Sequence, residues 1–128
     1  QLVIEEARDR YIDLYEFAPV AYITLNAGGT INAINMTGAL QLGMDRAKLI
    51  NQRFSTFVSD TDKDRWYRLF ISLMKPGTQQ DYPQKTRLTM LRQDHSTFDA
   101  FLCCIVKETS DSPPLLRIAL MDMPPNEQ

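Results

Sequence analysis

From Leu2 to Phe17 the apolar positions Ile4, Ala7, Tyr11 and Leu14 recur at steps of three and four, with Ala18 in phase behind them and Glu5, Glu6, Arg8 and Asp9 between. That spacing puts them on one side of an amphipathic helix. Pro19 ends it, because proline lacks the N–H that would extend the ladder and disfavours helical geometry at Ala18. The period then shortens. Two apolar runs, Val20 to Leu25 and Thr30 to Ile34, flank Asn26-Ala27-Gly28-Gly29, whose glycines can take the positive φ that a hairpin turn needs, and predict a first β-hairpin. Asn35 follows as an N-cap whose side-chain oxygen can accept from the free N–H groups of a helix running to about Leu42, and Gly43 supplies the stop. A shorter helical turn is predicted over Asp45 to Leu49, then a loop around Phe54 and Phe57.

Ser59-Asp60-Thr61-Asp62 is an acidic start suited to the positive end of a helix dipole, and Trp66, Leu69, Phe70 and Leu73 keep helical spacing until Pro76-Gly77. The remainder reads as strands: Lys85 to Leu91, a polar turn Arg92 to Ser96, Phe98 to Lys107, a loop over Ser110 to Pro114, and Leu115 to Met121. Two hairpins on either side of a helical insertion predict one antiparallel sheet with helices over one face, an α+β arrangement. The division expected is an N-terminal helix or linker over 1–18, a folded domain over 19–123 and a tail over 124–128.

Composition narrows the function classes. A chain of 128 residues, 44% hydrophobic and 23% charged, is the size and balance of one globular domain. A net charge of −2 without a dense Lys/Arg cluster argues against nucleic-acid binding, which needs concentrated positive charge. No apolar run is long enough to cross a membrane, so no membrane contact is expected of this segment. Because the sequence starts inside a helix and without Met, it is expected to be part of a longer chain. Cys103 and Cys104 are neighbours that could close almost no loop as a disulfide; reduced thiols and a cytoplasmic location are the expectation.

Catalytic and metal chemistry find little support. The sole histidine, His95, falls in a polar turn, and the chain holds no nucleophile elbow, no His-Cys pairing and no phosphate-binding glycine loop. Asp60, Asp62 and Asp64 lack the glycine and the distal glutamate of a calcium loop, and are better read as a capped helix start. Cys103 and Cys104 point to opposite faces of a strand, so they cannot chelate together. The chain is expected not to be an enzyme.

Four stretches carry a resemblance to the PAS family, the sensory-box domains of bacterial signalling proteins: Phe17 to Asn26; Thr30 to Asn35 continuing through Leu42-Gly43-Met44, with Asn35 at the characteristic asparagine; Leu49 to Phe54 with Phe57-Val58, where Asn51 replaces the usual glycine; and Arg92 to Phe98, where His95 replaces a common glycine. The resemblance implies a five-stranded antiparallel sheet and a pocket between one sheet face and the helices. Its register points Ile23, Leu25, Leu88, Met90, Ala100, Leu102, Cys104, Ile118 and Leu120 inward, faced by Trp66 and Phe70 of the long helix. With Asn35 and Phe57, all of these except Leu120 are the candidate ligand-binding residues. No cysteine stands near Phe54 to trap a flavin, and Thr61 to Lys75 holds no histidine for haem, so no cofactor is predicted.

The function implied is signal input. A small molecule in the pocket would bias the N-terminal helix and, through it, an effector domain of the same parent chain, be it a histidine kinase, a cyclic-dinucleotide enzyme or a transcription regulator. That helix, with coiled-coil steps, is expected to support a homodimer. The competing reading is a ligand-free dimerisation or spacer module whose inward residues fill a closed core.

Overall fold

The periodicities take shape in a computed structural model, which describes residues 2–77 and 82–124; the predicted tail beyond Pro124 lies outside them. The elements are α1 (Leu2–Glu16), β1 (Ala21–Leu25), β2 (Ile31–Ile34), α2 (Met36–Leu42), α3 (Arg46–Leu49), a 3-10 turn (Phe54–Phe57), α4 (Lys63–Met74), β3 (Gln84–Leu91), β4 (Thr97–Thr109) and β5 (Ser112–Asp122). The strands form a five-stranded sheet in the order β2-β1-β5-β4-β3, with each adjacent pair antiparallel. The α+β architecture is the one expected.

Alternation in the strands becomes burial. Ile23 and Leu25 on β1, Leu88 and Met90 on β3, Ala100, Leu102 and Cys104 on β4, and Leu116, Ile118 and Leu120 on β5 face one side and are buried. Leu102 lies opposite Leu120, and Cys104 opposite Ile118. Ala39, Leu42, Leu49, Phe54, Phe57, Trp66, Phe70 and Leu73 close over them from the helical segments.

Local chemistry explains the joints. In the first hairpin, Asn26 Oδ1 accepts from the N–H groups of Gly28 and Thr30 at 3.0 and 3.1 Å, while Gly29 takes φ 84°. Asn35 Oδ1 caps α2 through the Gly38 N–H at 2.9 Å, and Gly43 at φ 73° ends it with its N–H on Ala39. Gly38 allows close packing: a Cβ there would lie 2.7 Å from Ile34 Cγ1.

Three readings are corrected. The loop around Phe54 and Phe57 is a 3-10 turn that buries both rings. Asp62 is the N-cap of α4 but makes no side-chain cap; its carboxylate accepts from the Thr89 N–H at 2.7 Å, and so pins α4 to β3. The loop expected over Ser110 to Pro114 shrinks to Ser110-Asp111, because Thr109 already pairs with Ser112. Pro113 and Pro114 are tolerated in β5 since β1 reaches only to Leu116, and a register shift at Lys107/Thr109 lies opposite them.

Candidate functional site

The interior comes first, because the sequence assigned the ligand site there. The structure brings Ile23, Leu25, Phe57, Trp66, Phe70, Leu88, Met90, Ala100, Leu102, Cys104 and Ile118 into one cluster. Trp66 is wedged between Phe54 and Phe70, with ring centroids 4.7 and 5.8 Å apart. Leu25, Met90, Ala100, Leu102 and Cys104 are each 0% exposed, so no space the size of a water molecule opens beside them. Burial pushes the Cys104 thiol up to about 12, which keeps it protonated and unreactive near neutral pH. In this conformation the interior is a packed apolar core.

Asn35 stands apart from that cluster. It is 0% exposed, and its amide makes four hydrogen bonds: the oxygen accepts from Tyr22 N and Gly38 N at 3.0 and 2.9 Å, and the NH2 donates to Tyr15 O and Val20 O at 2.8 and 3.1 Å. An amide has no more capacity than that. Asn35 therefore ties α1, β1 and α2 together rather than facing the core cluster. Beside it, Glu16 Oε1 accepts from the Met36 N–H at 3.1 Å and pairs with Arg46, whose guanidinium is held above its ordinary pKa by that hydrogen bond. The last turn of α1 is thus anchored, whereas residues 4–14 are exposed.

Open space lies on the other face of the sheet. There Tyr15 of α1 stacks on Tyr22 of β1, centroids 6.2 Å apart and planes within 8°, and Tyr11 stacks on Tyr15 at 6.1 Å and 7°. Between this aromatic wall and the sheet runs a groove of about 510 Å³, a size suited to a small organic molecule. Its floor follows the strand register: Thr24, Arg117 and Ile105 form one row across β1, β5 and β4, and Tyr22, Ala119 and Cys103 the next. Burial raises the Tyr15 phenol above its ordinary pKa, with Glu16 adding to the effect, so Tyr15 is neutral near pH 7.

The sequence reading left this groove out, though a signal was present. The outer face of an antiparallel sheet is ordinarily polar where it meets water. Here Tyr22, Phe101, Cys103, Ile105, Ala119 and Met121 occupy outward positions. A second groove, about 600 Å³, lies near α4 and β3, but Asp62 and Asp99 balance Arg65 and Arg87 within it. Among the described residues, no group of His, Cys, Asp or Glu is arranged to hold a metal ion, and no helix is long and apolar enough to cross a membrane.

No protein-family model matches the sequence, and no curated protein does. Solved structures do match in three dimensions. The PAS domain of an HTR-like protein from Haloarcula marismortui is similar with a TM-score of 0.76 at 21% identity, covering 94% of each chain. A domain of the sensory box sensor histidine kinase/response regulator from Geobacter sulfurreducens gives 0.68 at 15% identity, over 91% of this chain and 95% of that one. The PAS domain of the Cronobacter turicensis RpfR quorum-sensing receptor, in complex with BDSF, gives 0.66 at 14% identity, over 84% and 96%.

Proposed function

The chain has the PAS fold, and from that premise we propose that it is a signal-relay and protein-interaction domain of a longer signalling protein, with a closed interior in its resting form. In this reading α1 is the output element. It joins a second copy of the chain and passes a change to an effector domain on the same polypeptide. The observation that carries the proposal is a contrast in burial: the core is filled, while Ile4, Tyr11 and Leu14, all on one stripe of α1, are 63, 67 and 69% exposed. A stripe of that kind is stable in water when a partner helix covers it. The similar domain from a sensor histidine kinase/response regulator makes a kinase chain the favoured parent. The reading includes no catalysis: Cys104 is the one ionisable side chain in the buried core cluster, and burial holds it protonated. It also includes no flavin or haem, since 51–58 holds no cysteine and α4 no histidine, and it assigns the domain to the cytoplasm.

Sedimentation velocity over a hundredfold range of concentration tests the proposal. The expected result is a dimer that dissociates on dilution and is weakened by Leu14→Glu with unchanged thermal stability of the sheet domain. A monomer at every concentration would sink it.

A second reading is favoured by the Cronobacter domain, a similar fold in complex with BDSF. For this chain it requires Met90, Ala100 and Leu102 to part from Trp66 and Phe70 and admit a small molecule. Native mass spectrometry distinguishes the two, because a stoichiometric bound mass on the purified chain would favour a sensor of an interior ligand.

A further inference from the structure

We propose that the groove between α1 and the outer face of the sheet is a binding site for a planar aromatic carboxylate. The inference rests on the groove within a single chain, since Tyr11 belongs both to its wall and to the stripe that a partner helix would cover. Three features point to that chemistry. The wall is aromatic: the rings of Tyr11, Tyr15 and Tyr22 are nearly parallel, and a flat ring extends such a stack without reorganising it. Ala119, which lines the groove, is the small residue between Tyr22 and Cys103 in its row, where the neighbouring rows carry larger side chains. One row further along, roughly 6.8 Å away at two residues of strand rise, Arg117 is flanked by Thr24.

Arg117 is exposed and has no carboxylate partner among the described residues, so the apolar floor ends in an unpaired cation beside a hydroxyl; Lys85, beside Cys103, is a second exposed cation at the far edge of the other row, but only Arg117 shares its row with Thr24. A guanidinium and a hydroxyl side by side match the two oxygens of a carboxylate. An uncharged aromatic would leave the Arg117 end unused, and a long flexible acid would forgo the stack.

Titration of the 15N-labelled chain with 1-naphthoate, and with 1-naphthalenemethanol as its uncharged match, tests the proposal. Naphthoate is expected to shift the amides of Tyr22, Thr24, Cys103 and Arg117 saturably and to slow alkylation of Cys103 by iodoacetamide. Arg117→Gln should weaken it about tenfold, the scale of one charge-assisted contact, and Ala119→Leu should abolish it by filling the groove between Tyr22 and Cys103; both variants should keep the wild-type spectrum elsewhere. Equal affinity for the alcohol, unchanged affinity in Arg117→Gln, shifts centred on Met90 and Leu102, or no saturable binding would each overturn it.

Discussion

Two non-glycine residues in the described chain adopt the left-handed conformation, Asn51 at φ 74° and His95 at φ 72°, and both stand where the resemblance led one to expect glycine. Asparagine and histidine tolerate that region better than most residues, though less well than glycine. His95 is exposed, and its backbone N–H, on Arg92 O at 3.0 Å, is kept by glycine. His95→Gly is therefore expected to stabilise the domain by about 0.5–1 kcal/mol, a rise in Tm of roughly 2–4 °C, relief of strain outweighing the added freedom of the unfolded chain. Thermal unfolding followed by circular dichroism checks it; a lower Tm would mean the histidine side chain contributes something the structure does not reveal. At this scale the sequence was readable where the demand is a turn's local dihedral, and not where, as at Asp62, the side chain's partner Thr89 lies 27 residues away.

Elements meet at Asn35, and here the sequence revealed half the story. Its capping role follows from its position before α2, whereas its bonds to Tyr15 O and Val20 O join segments 20 and 15 residues away. Asn35→Asp separates the two roles, since the carboxylate keeps the acceptors but faces two carbonyls where two N–H donors stood. The expected loss at pH 7 is about 2–4 kcal/mol, from unmet carbonyls and a buried charge. Both effects raise the folded-state pKa of the new carboxyl above its unfolded value of about 3.9. The loss is accordingly smallest below that pH and grows as pH rises, until the folded group ionises. Urea unfolding at pH 3.5 and 7 measures both; equal stability to the parent at pH 7 would contradict the clamp.

For the whole molecule, the decisive property is a filled interior. Leu102 is 0% exposed and lies against Leu120 on the neighbouring strand. In a tightly packed core, Leu102→Ala should cost about 3–4 kcal/mol, transfer and cavity terms together. A loss under about 2 kcal/mol by urea titration would indicate an interior already slack enough to collapse or to admit a ligand. The same measurement bears on the two functional readings, which differ in whether this space is solid at rest.

The sequence by itself determined the order of helices and strands and most of their extents, because these are written in a period of two or 3.6 residues and in the residues that cap and turn; the inward register of β1, β3, β4 and β5 came with the family resemblance. It predicted a single antiparallel sheet but not its strand order, in which β5 pairs with β1 and so joins the two hairpins. Nor did it determine that the inward side chains would fill their space completely, or that α1 would leave a tyrosine-walled groove over the opposite face. Those outcomes depend on which distant surfaces meet and how their volumes fit. A periodic pattern marks a face as apolar but carries no information about what will cover it.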